Sequence, residues 1–128
     1  PDWYLIETHV SVAWSDAVVL VPGPVNKGNN PKVGNFPFQT DHGTPGVQTY
    51  KYTIALADIG LTPIPGTEYY ISVAAQADVG QFSLGNWDND PLTPDTWLCL
   101  LEETAWGYGT TYSGHNWATY FSFEWTAP

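Results

Sequence analysis

From Trp117 to Trp125 the chain alternates without a break. Trp117, Thr119, Phe121, Phe123 and Trp125 point one way; Ala118, Tyr120, Ser122 and Glu124 point the other. A repeat of two is the period of a half-buried β-strand. The same period recurs upstream. Tyr4, Ile6, Thr8, Val10, Val12 and Trp14 share one face of a long first strand. Residues 47–56 put Tyr50, Tyr52, Ile54 and Leu56 inward, and residues 68–77 do the same with Tyr69, Ile71, Val73 and Ala75. Apolar runs at 17–21 and 96–101 and a short segment at 36–40 add further strand candidates. Residues 22–46 and 80–95 are rich in Gly, Asn, Asp and Pro and read as loops. No window of about eleven residues or more keeps a helical period, and the spacing of Gly and Pro would break one. Roughly six or seven strands separated by turns predict an all-β fold, an antiparallel β-sandwich (Ig-like or jelly-roll) with long loops and almost no helix. Val10, Val12, Tyr52, Ile54, Ile71, Val73, Phe121 and Phe123 are its expected core, each on the apolar face of its strand.

A chain of 128 residues is one domain of ordinary size and can bury a core without disulfides or a structural metal. At 43% hydrophobic and 16% aromatic it is too apolar for a disordered chain. No apolar run approaches the ~18 residues of a membrane span. Thirteen acids face three lysines, Lys27, Lys32 and Lys51, with no arginine and a net charge of −10. Such a charge repels phosphate backbones, which argues against nucleic acid and anionic membranes; cations and neutral sugars stay compatible. Low lysine, no arginine and many Thr, Tyr, Trp, Gly and Pro resemble secreted surface proteins, so an extracellular or cell-surface location is expected. The chain begins at Pro1 rather than Met and shows no signal peptide, which fits either a removed leader or an excised piece. Cys99 is the single cysteine, so no internal disulfide forms. It stands in the apolar run Trp97-Leu98-Cys99-Leu100-Leu101, where a buried, inert thiol is expected.

Sites for chemistry are few. The histidines His9, His42 and His115 show no paired zinc spacing, and no nucleophile elbow accompanies the serines. No enzymatic activity is expected. Asn86-Trp87-Asp88-Asn89-Asp90 is the densest cluster of oxygen ligands. Asn86, Asp88 and Asp90 are weak calcium candidates, against the plainer reading of a solvated turn. Glu102 and Glu103 could complete such a site only if the fold brought them near. Of seven tryptophans, Trp87, Trp97 and Trp106 lie in or beside loops and are the candidates for stacking on sugar rings. No other cofactor is expected.

Several segments, in order, carry a resemblance. They are Glu7-Thr8-His9-Val10, then Gly28-Asn29-Asn30-Pro31-Lys32-Val33-Gly34 leading to Phe36-Pro37-Phe38-Gln39-Thr40-Asp41-His42. Tyr50–Leu56 and Ala74-Ala75 follow, then ETAWG and NWATYFSF. Together they resemble a family of secreted prokaryotic surface domains with the motifs ETHVHV, GNPKPGxFPYKTEH, AAHAVV and ETAWGxGxxFPGxNWATYFTY. The match covers most of the chain, and its last motif is the most specific. The resemblance implies an adhesin-type or repeat module of a cell-surface protein, with no enzymatic role. This chain departs from it at Ser11 and Gln76, where the motifs carry histidine; only His9 and His42 could inherit a histidine-borne role.

The N-terminus suggests a function. Trp3, Tyr4, Leu5 and Ile6 are apolar on both faces, whereas residues 7–14 are apolar on one. A strand tip of this kind suits insertion into a groove of a neighbouring subunit. Residues 1–6 are therefore the expected donated strand. The expected role is that of a structural subunit of an extracellular, pilus-like filament or surface assembly, a homo-oligomer built by strand exchange. The alternative is a secreted carbohydrate-binding or adhesion module. No N-x-[ST] sequon occurs, so standard N-glycans are not expected.

Overall fold

The computed structural model describes residues 2–114 and 117–128; His115 lies outside them. Among the described residues six strands form: β1 (Trp3–Ser15), β2 (Phe38–Asp41), β3 (Glu68–Gly85), β4 (Thr96–Trp106), β5 (Thr110–Thr111) and β6 (Thr119–Thr126). Two short 3₁₀ turns, Val33–Asn35 and Leu56–Ile59, are the helical elements among the described residues. The protein is an all-β chain of mostly antiparallel strands. The strand order is β2-β1-β3-β6-β5, with β4 also paired to β3. The register of β3 with β6 runs from Glu68 opposite Thr126 to Val73 opposite Phe121.

The chain divides into two compact units, and β1 and β3 pass through both. One comprises residues 1–8, 40–51 and 77–105; the other comprises 9–39, 52–76 and 106–128.

The second unit holds two buried clusters. Phe36, Ala74, Tyr112 and Ala118 form the first, with Val33, Trp106 and Tyr120 against them. Leu61, Tyr69, Ile71 and Ala127 form the other, joined by Val12, Trp14, Val73 and Trp125. Trp14 donates its indole N–H to Ile59 O at 2.8 Å, which secures the 3₁₀ turn to β1. Three hydroxyls hold the segment before the first long loop. Ser11 donates to Gly23 O, Ser72 to Leu20 O, and Tyr112 to Pro22 O at 2.7 Å. These buried hydroxyls satisfy carbonyls that no strand partner reaches. With its carbonyls turned to the sheet, the segment leaves Val18, Val19, Leu20 and Val21 exposed.

Burial pushes the Tyr112 phenol above its ordinary pKa of 10.0, with the neighbouring Tyr120 adding to the effect. A group that stays protonated longer in the folded state stabilises it fully below the unfolded pKa. That contribution is lost as pH rises above 10.0 towards the folded value. Tyr112→Phe is expected to lower stability at neutral pH by about 1–3 kcal/mol, because Pro22 O is left buried without a donor. It should also flatten the alkaline decline. Denaturant titrations at neutral and alkaline pH check both, and an unchanged midpoint would contradict the hydrogen bond.

In the first unit, the Tyr4 ring meets Phe82 and Trp97 edge-on, each at 6.1 Å between centroids. Gly80 makes room there: a Cβ at this position would stand 2.6 Å from the Phe82 ring and 2.8 Å from Ile6 Cδ1.

Four expectations are corrected. Residues 47–56 join no ladder beyond a single bridge between Leu5 and Val47, although Tyr52, Ile54 and Leu56 do face one way. Alternation reports that one face is covered, and a lone extended segment lying over a sheet shows the same period. Phe121 and Phe123 are not core: they are 39% and 47% exposed, because among the described residues no second sheet lies over that face of β6. Cys99 is exposed rather than buried, since its apolar run is an edge strand open on both faces. The expected 80–95 loop begins later, since β3 runs on to Gly85.

Candidate functional site

The N-terminal tip lies in the first unit as the start of β1. Leu5 exchanges two backbone hydrogen bonds with Val47, at 2.6 and 3.2 Å. Ile6 O accepts from the His42 amide at 2.8 Å, and Asp2 O from the Phe82 amide at 3.4 Å. In the single chain the tip is thus paired on both edges. Its side chains are less well served: Trp3 is exposed, and Tyr4, Leu5 and Ile6 are only half-buried.

The second unit carries an apolar groove of about 340 Å³. Val10, Val12, Ile71, Val73 and Ala75 line it from β1 and β3, Phe123 from β6, and Tyr52, Ile54, Leu56 and Ile59 from the segment opposite. Seven of these ten are residues the alternation assigned to a closed core. The structure brings them together but leaves space among them. The reason is that 52–56 lies over the sheet as a single segment, where a sandwich would place a second sheet.

Strand β4 is the third feature. Trp97, Leu98, Leu100 and Leu101 are all exposed. Successive residues of a strand point to opposite faces, so along 97–101 β4 presents apolar side chains to solvent on both faces.

The remaining candidates are placed as follows. Trp87 is exposed and donates its indole N–H to Thr96 O at 2.9 Å; Trp97 is exposed beside Tyr4. Trp106 belongs to the second unit, is partly buried and stands edge-on to Phe36. In the 86–90 loop, Asp88 accepts from the Asp90 amide at 2.9 Å and Asp90 from the Leu92 amide at 3.0 Å. The Asn86 side chain donates to Asp90 O. The loop is closed by its own side chains as Asx turns. Glu102 and Glu103 do not join it: they line a separate acidic cavity of about 360 Å³ with Glu7, Asp78, Ile6 and Thr104. His42 shares a 2.8 Å hydrogen bond with Thr8 Oγ1 and packs against the Tyr50 ring at 4.5 Å. His9 is buried in the second unit. Ser11, one of the two departures from the histidine motifs, has the structural role already described.

Sequence reasoning missed the open groove, the exposed edge of β4 and the outward apolar ribbon at 18–21. The last two left a signal, in the apolar runs at 96–101 and 17–21. Comparison with family models, curated proteins and solved structures finds no match to this chain.

Proposed function

We propose that this chain is a structural subunit of an extracellular filament or surface assembly, built by strand exchange between β-domains. The observation that carries the reading is the unfilled apolar groove at the expected core. Ten residues converge on it, and apolar walls left open to water cost free energy that an inserted strand recovers. Trp3, Tyr4, Leu5 and Ile6 supply the donor. Fully burying a large exposed side chain is worth about 1.5–3 kcal/mol, and the exposed Trp3 and half-buried Tyr4, Leu5 and Ile6 each have part of that still to gain against the cost of association. A head-to-tail contact that does not close propagates into a filament.

Deleting residues 1–6 tests this. The truncated chain is expected to keep its strand signal in circular dichroism and to form no fibres by negative-stain microscopy. A peptide of the missing residues should then bind it. A full-length chain that sediments as a monomer at high concentration, with a deletion that merely unfolds, defeats the proposal.

A second reading, a carbohydrate-binding or adhesion module, is favoured by the exposed rings of Trp87 and Trp97 in one unit. Glycan binding lost in Trp87→Ala and Trp97→Ala, by a chain that forms no fibres, would favour it.

A further inference from the structure

We infer that the free edge of β4 pairs antiparallel with β4 of a second copy, about a two-fold axis through Cys99. Among the described strands β4 pairs with β3 alone, so its outer edge is open. Open edges are ordinarily guarded by charge, proline or a bulge. From Thr96 to Leu101 this edge has no charge and no proline; its acids, Asp95, Glu102 and Glu103, stand just outside. Both faces of the stretch are exposed and apolar. The strand therefore offers a partner backbone pairing and side-chain burial on two faces at once.

The order of residues selects a second copy as that partner. With the axis at Cys99, Leu98 stands opposite Leu100 of the second copy, Trp97 opposite Leu101, Cys99 opposite Cys99 and Thr96 opposite Glu102. Every aliphatic and aromatic residue of the stretch meets another apolar residue. One acid pair remains, at the end of the contact, where Glu103 of β4 falls opposite Asp95 just outside the strand. Moving the axis to Leu100 sets Trp97 against Glu103 and Leu98 against Glu102. Moving it to Leu98 sets Leu101 against Asp95 and Leu100 against Thr96. Directly opposed pairs decide strand register, and like charges there are destabilising. A cationic partner, the other class that a chain of charge −10 invites, finds no carboxylate along 96–101 to hold. The contact is isologous and closes at two copies, whereas strand exchange propagates. It stands independently of the function proposed above.

Charge supplies the discriminating test. Two copies of charge −10 repel, so added salt should strengthen a contact made of leucine and tryptophan. A contact with a cationic partner weakens instead. Sedimentation of the full chain is expected to show a monomer–dimer equilibrium that moves towards dimer as sodium chloride rises. Copper-phenanthroline in air should join two copies through Cys99, two thiols becoming one disulfide with dioxygen taking the electrons. Leu98→Asp with Leu100→Asp places acids opposite one another and should weaken dimerisation by about tenfold or more. Leu92→Asp, at an exposed leucine outside β4, should change nothing. Both variants change exposed positions, and circular dichroism verifies that they fold. A monomer at every salt concentration overturns the inference. So does cross-linking that the β4 substitutions leave unchanged, or a dimer that dissociates as salt rises.

Discussion

Phe36→Ala is expected to destabilise the protein by about 3–5 kcal/mol, the upper range for a core deletion. Phe36 is 1% exposed. Its immediate buried neighbours are Ala74, Tyr112 and Ala118, and its ring stands edge-on to Trp106 at 6.5 Å. Two of those neighbours are alanines, which have no side-chain length with which to fill a vacated space. The cavity would therefore persist, and the residual void sets the size of the loss. The backbone cannot relax easily either. The Phe36 amide donates to Val33 O at 3.0 Å, and Gln39 Nε2 donates to Phe36 O at 2.7 Å. A domain of this size is stable by only about 5–15 kcal/mol in total, so the change takes a large share. Urea titration followed by circular dichroism measures it. A loss below about 1 kcal/mol would mean that Phe36 is not packed as described.

Gly46→Ala is expected to cost at least about 2 kcal/mol and to loosen the N-terminal tip. Gly46 has φ +84°, a conformation that L-residues rarely adopt, and a Cβ there would stand 1.9 Å from Leu5 O. That oxygen accepts from the Val47 amide in the bridge that holds the tip. The methyl group and the bridge cannot coexist. Under strand exchange the consequence is specific: a tip released from its own chain becomes a better donor, so fibres should form faster although each subunit is less stable. Hydrogen exchange at the amides of Leu5 and Val47 reports the release, and light scattering reports assembly. Released amides with unchanged or slower assembly would argue that the tip serves only its own chain.

Much of the fold could be read before any coordinates. The alternation from Tyr4 to Trp14 became β1, that from Tyr69 to Ala75 became the first half of β3, and that from Trp117 to Trp125 became β6, which starts at Thr119. Tyr69 and Ile71 of β3 bury the apolar face that the period marks, whereas Phe121 and Phe123 of β6 leave theirs exposed. Residues 47–56 carry the same period without joining a ladder, because the pattern records coverage of side chains and is silent on the pairing of backbones. The candidate site was less legible. Trp3–Ile6 stand out by being apolar on both faces. The groove does not, because a filled core and an unfilled one use the same residues.

The sequence by itself determined the all-β class, the location of the three long alternating strands and the strong negative charge. These follow from local periodicity and from composition, which need no knowledge of distant contacts. Only the tertiary structure decided that Phe121, Phe123 and Cys99 are exposed, that three hydroxyls turn residues 18–21 outward, and that an open groove remains among the expected core residues although Val10 and Ile71 are buried. Each depends on which segment arrives from far along the chain to cover a face or accept a hydrogen bond. An apolar strand reads the same whether that segment arrives or not.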